Sequence, residues 1–144
     1  MSRETSNKIF AKLERLDEYL QHLKEIQKVN KKSFLQDYHF YGLAERYLQL
    51  TIEVLLDIGK LIILSQGFRR PENNQEIFEI LREKKILSVA FTRRLDGISG
   101  FRNILVHDYE KIDRGLVYEN LTKRLKDFMD FKKAIVIFLN KSIK

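Results

Sequence analysis

Residues 43–66 read LAERYLQLTIEVLLDIGKLIILSQ. A helix drawn through them is apolar almost all round, which in a globular chain means a central, nearly surrounded position. One strip is the exception: Arg46, Gln49, Glu53, Asp57 and Lys60 step by three, four, four and three, and so line up along a single edge. Toward the N-terminus, Ile9, Leu13, Leu16, Leu20, Leu23 and Ile26 recur at three- and four-residue steps, predicting an amphipathic helix over roughly 5–28. Asn30 to Lys32 interrupts the pattern, Ser33 with Gln36 resembles a capping box opening a short helical turn, and Gly42 reads as a boundary. Toward the C-terminus, a loop over 67–74 carries Pro71, and a short helix around 75–84 carries Ile77, Ile80 and Leu81. Ser88 can cap the next segment, Val89 to about Val106, whose stripe is Phe91, Leu95, Ile98, Phe101 and Leu105. After a polar connection at 108–114, a last helix runs over about 115–141 with Leu121, Leu125, Phe128, Ile135 and Phe138 facing inward. These elements predict an all-α, up-and-down bundle of four to five helices in a single domain over 1–144.

Composition agrees. With 44% hydrophobic residues, one proline and six glycines, the chain lacks the punctuation that many strands and turns require. A formal net charge of +7 favours an anionic partner, with nucleic acid the first candidate and an acidic protein or anionic lipid behind it. The absence of cysteine excludes disulfides and thiolate metal sites and permits a reducing compartment, so a cytoplasmic location is expected. Met1 to Phe10 has no apolar signal core, and the most apolar stretch, Val54 to Leu64, is interrupted by Asp57 and Lys60; no membrane span is expected.

Residues 102–109, RNILVHDY, place a fixed cation, a near-neutral base and a phenol within eight positions. Arg102 is suited to gripping a phosphate and His107 to taking and giving a proton, together a minimal kit for cleaving RNA. On an ideal helix Arg102 lies about 140° round from His107, so the two converge only if the helix ends between them or another chain completes the site. Asp96, Gly100, Asn103 and His107 share one edge, from which Asn103 can orient His107. Gly97 and Gly100 either ease packing or let a helix, a symmetry mate or a substrate approach closely. Arg102 falls toward the inner side and needs an acidic partner. Glu53 and Asp57, like charges four residues apart, are expected to supply it. On spacing alone, a lone arginine and histidine in a basic helical protein more often describe ordinary surface or a capped helix end than a catalytic pair. His22 and His39 read as structural or solvent residues, and no histidine pairing has metal-ligand spacing, so neither a metal site nor a cofactor is expected. The basic pairs Arg69-Arg70, Lys84-Lys85 and Arg93-Arg94 read as solvated face or as contacts for RNA backbone.

Read as R-x-x-x-x-H-x-Y, the run 102–109 resembles the signature of the HEPN superfamily, and the added tyrosine resembles its HepT-like branch. ERYLQLTIEVLLDIGKLI, Glu45 to Ile62, is similar to the second helix of that family, polar positions included. The resemblance implies an all-helical homodimer acting as the ribonuclease toxin of a toxin–antitoxin pair. Arg102 and His107 carry over as catalytic residues, and Asn103 and Asp108 as supporting ones. It further implies an MNT-type nucleotidyltransferase antitoxin that silences the toxin by moving AMP from ATP to the motif tyrosine, here Tyr109. If the chain extends after His107, residues 107 and 109 point to one side, and a phosphate on Tyr109 enters the RNA pocket. The alternative implied is a catalytically silent HEPN module that binds RNA, a nucleotide or the transferase.

Overall fold

The computed structural model describes residues 1–107, 110 and 112–142. Among them are eight helices: α1 (Arg3–Gln27), α2 (Lys31–Gln36), α3 (Tyr38–Gln66), α4 (Asn74–Glu83), α5 (Val89–Arg94), α6 (Ile98–His107), α7 (Arg114–Lys123) and α8 (Leu125–Ser142). The all-α bundle is as expected, with two of its anticipated helices divided. α3 packs against α1, α2, α4, α6, α7 and α8, which is why its sequence is apolar on nearly every face. α1 lies along it and buries Ile9, Leu13, Leu16, Leu20, Leu23 and Ile26. Phe34, Phe78, Phe128 and Phe131 fill the interior, Phe78 meeting Phe131 edge to face with centroids 6.1 Å apart. No helix among the described residues is long and apolar enough to cross a membrane.

Capping chemistry sets the helix ends and corrects two expected boundaries. Asn30, not Ser33, caps α2: its side chain accepts the Ser33 backbone N–H at 2.9 Å. Gly42 ends nothing, because Asp37 accepts the His39 N–H at 2.9 Å and starts α3 at Tyr38, four residues before the glycine. Ser88 caps α5 as anticipated, accepting from Phe91 at 3.1 Å.

The stretch Val89 to Val106, expected as one helix, breaks at Leu95–Gly97. Gly97 takes φ +82, a left-handed conformation that a side chain disfavours. The apolar stripe continues across the break, since Leu95 and Ile98 are both fully buried, and so the spacing alone did not reveal it. The final helix divides more gently at Arg124: backbone bonds Arg124 N–H to Asn120 (2.9 Å) and Phe128 N–H to Arg124 (3.0 Å) carry the chain from α7 into α8.

Candidate active site

α6 presents the candidate residues, and its seat is built by side chains that bridge the break before it. The Gln75 amide donates to the Leu95 carbonyl at 3.1 Å and accepts the Ser99 N–H at 3.3 Å. It thus ties the two sides of the break together, adding a second donor to a carbonyl that already accepts the Ile98 N–H at 3.2 Å and giving the Ser99 N–H an acceptor. Arg124 reaches over from α8's start and donates to the carbonyls of Arg94 and, at 3.1 Å, Asp96. Asp127, only 9% exposed, draws Arg94 and Arg124 together at 3.3 and 3.6 Å. Lys126, hydrogen-bonded to Asp130 and assisted by Arg94, holds the Asp130 carboxyl below its ordinary range. Neither Gln75 nor Arg124 stands out in the sequence, because each acts on backbone groups that only the break exposes.

Arg102 is half-buried and fixed. Its Nε and Nη2 donate to Glu53 Oε1 at 3.2 and 2.9 Å, while Gln49, one turn earlier on α3, donates to the same oxygen at 3.1 Å. The expected second carboxylate is elsewhere: Asp57 pairs with Lys12 of α1 at 3.4 Å. A single acid therefore anchors Arg102, and the charge conflict between Glu53 and Asp57 is settled by two cations rather than one. Lys12 went unnoticed in the sequence because it belongs to the outer face of an amphipathic helix 45 positions away.

Asn103 also differs from expectation. Its Oδ1 accepts from Arg102 Nη1 at 3.3 Å, so among the described residues it serves the arginine and not His107. His107 closes α6 and is exposed. Since α6 continues through it, Arg102 and His107 stand about 140° apart around one helix and about 7.5 Å apart along it. Asp96 leaves the shared edge, being in the break, where its carbonyl serves Arg124. A Cβ at Gly100 would meet nothing within 4 Å, so no packing within the described chain requires that glycine; Gly97 is required by its backbone angle. Asp108 and Tyr109 lie outside the described residues.

Residues 16–135 match the profile of the family described as ribonuclease HepT-like. The tRNA nuclease HepT of Aphanizomenon flos-aquae is 28% identical over 131 residues, covering 91% of this chain and 89% of that one. The mRNA nuclease HepT of Shewanella oneidensis is 28% identical over 115 residues, covering 78% of this chain and 86% of that one. Among solved structures, a tri-AMPylated Shewanella oneidensis HEPN toxin in complex with MNT antitoxin superposes with a TM-score of 0.76 at 26% identity, over 95% of this chain and 99% of that one.

Proposed function

Because the chain belongs to the HepT-like ribonuclease family, we propose that it is an RNA-cleaving toxin acting in the cytoplasm through Arg102 and His107. The observation that carries the reading is the Arg102 guanidinium, held by Glu53 on a rigid central helix with Nη1 turned toward the exposed Asn103.

The reaction follows from the two side chains. His107 takes the proton of a ribose 2′-OH, the oxygen attacks the adjacent phosphorus, and Arg102 stabilises the negative charge of the phosphorane. The bond to the 5′-oxygen then breaks, leaving a 2′,3′-cyclic phosphate and a 5′-hydroxyl that takes up a proton. The nucleophile belongs to the substrate, so the step proceeds without a metal. Within one chain Arg102 and His107 diverge, and a two-fold homodimer that sets the His107 ends of two α6 helices in one cleft supplies a base and an acid together. Asp108 is assigned a supporting role beside His107.

Silencing is assigned to an MNT-type nucleotidyltransferase that adds AMP to Tyr109, as the AMPylated Shewanella relative in its MNT complex suggests. Phosphate on that residue adds negative charge two positions from His107 and excludes RNA by charge and bulk together.

The test is cleavage of total cellular RNA by purified protein of unmodified mass in EDTA, with Arg102→Ala and His107→Ala beside it. Cleavage by the wild type with loss of at least a hundredfold in each variant is expected. A folded, unmodified wild type that leaves RNA intact would overturn the reading in favour of a silent binding module.

A further inference from the structure

Two helices end at one small cleft, and they end alike. After α3, the Phe68 N–H bonds the Ile63 carbonyl (3.0 Å) and the Gly67 N–H the Leu64 carbonyl (3.4 Å), with Gly67 at φ +66. After α4, the Ile86 N–H bonds the Leu81 carbonyl (2.9 Å) and the Lys85 N–H the Arg82 carbonyl (2.9 Å), with Lys85 at φ +60. Both are Schellman closures, whose left-handed position favours glycine. The first has it; the second holds a lysine in a conformation that strains any side-chain-bearing residue. Lys85 is the one non-glycine residue at positive φ among the described residues, and its side chain is exposed, so burial does not repay the strain.

What its ammonium joins is visible in the cleft. Phe68, Lys84, Lys85, Ile86, Phe138 and Lys141 line a hollow of about 290 Å³ where the ends of α3 and α4 meet the last turns of α8. All three lysines are exposed, and among the described residues none is in an ion pair. Lys84 is drawn over the Phe68 ring, its nitrogen 5.0 Å from the centroid, which holds its charge at the cleft. Among the described residues no carboxylate lines the cleft.

We infer that this cleft is a second RNA-binding site, where Lys84, Lys85 and Lys141 take backbone phosphates and the apolar floor takes a base or ribose. Aromatic and aliphatic surface ringed by lysine is the combination that holds a single strand without reading its sequence. A membrane surface would need a broad apolar face, and the hollow is too small to seat the flank of a helix. The cleft lies beyond the end of α3, thirteen residues from Glu53 to Gln66, or about 20 Å along the axis from the Arg102 anchor. It therefore serves long substrates and not the bond being cut. The choice of RNA as the polyanion rests on the ribonuclease reading.

The experiment measures binding of a fluorescent single-stranded oligoribonucleotide by anisotropy across salt, in a His107→Ala background, for Lys85→Gly and for Lys84→Ala/Lys85→Gly/Lys141→Ala. Lys85→Gly is expected to raise Tm by about 2–4 °C, because it relieves the strained backbone, while lowering the slope of log K on log salt by about 0.7. The triple variant should lose about 2 from that slope, with weaker binding of long RNA and undiminished cleavage of a dinucleotide when His107 is restored. Unchanged RNA affinity and slope in the triple variant, or a lowered Tm in Lys85→Gly, would overturn the proposal. So would displacement of RNA by polyglutamate at equal charge, which would mark the cleft as a surface for acidic protein. Wild-type protein that binds RNA through these lysines but cuts none sinks the ribonuclease reading alone; cutting with lysine-independent binding sinks the second site alone.

Discussion

Replacing Glu53 by glutamine keeps the side chain's shape and one acceptor oxygen beneath Arg102, while it removes the charge and turns the second oxygen into an NH2 donor. In the native pair one oxygen receives two arginine N–H groups, at 3.2 and 2.9 Å, plus the Gln49 amide at 3.1 Å. A hydrogen bond to a charged group nets about 1.5–3 kcal/mol and a neutral one about half as much. The two side chains keep 23% and 29% of their surface exposed, and solvent screening brings the expected coupling down to about 1 kcal/mol. A double-mutant cycle through Glu53→Gln, Arg102→Gln and their combination, read by urea denaturation, should return that coupling, equivalent to about 3 °C in Tm. The same Glu53→Gln protein should lose about tenfold in RNA cleavage, or about 1.4 kcal/mol at the transition state, because its guanidinium is no longer pinned. A coupling below about 0.3 kcal/mol, within the error of additivity, would refute the anchoring role, as would full cleavage in Glu53→Gln.

Two further substitutions probe the frame. Gly97→Ala places a side chain at φ +82 and should cost about 1–2 kcal/mol in urea denaturation; an unchanged or raised midpoint would mean the break tolerates another backbone path. Glu45 tests pH dependence: partial burial pushes its carboxyl above the ordinary range, opposed by Arg114, so the fold holds its proton more tightly than the unfolded chain. The cost of that charge is present above the folded pKa and is relieved as pH falls through it. Glu45→Gln should therefore match or exceed the wild-type Tm at pH 7, with any advantage closing toward pH 4, and an advantage that widens on acidification would contradict the burial argument.

The helical class was legible because burial writes itself into spacing. The all-round apolar run of α3 and the stripe of α1 gave both helices to within a few residues, and the step of Glu53 along α3 pointed to the partner of Arg102. The reading failed where one residue type serves two geometries. Asn30 and Ser33 both suit a cap, and only the backbone decides that Asn30 is used. Gly42 and Gly97 look alike in sequence, yet the first is carried through a helix by Asp37's cap and the second breaks one. Asp57 shares an edge with Glu53 but lies one turn closer to Lys12, a pairing set by how α1 crosses α3 and invisible to either helix alone.

The division of residues 89–107 at Gly97 also governs how the molecule opens. α6 is ten residues long, too short to persist in water unaided, and it buries only Ile98, Phe101 and Leu105. Cut off from α5, it cannot borrow helical cooperativity from its neighbour; docking on α3 and α4 and the Gln75 bracket hold it in place. It can therefore unfold locally while the α1–α3–α8 core remains intact, and amides of 98–107 should exchange with deuterium well ahead of those in α3. Whatever settles on Arg102 and Asn103 then gains a second effect. By binding only the docked form of α6, it closes the opening that exchange reports, and a ligand that cannot be seen directly becomes measurable as protection at ten backbone positions.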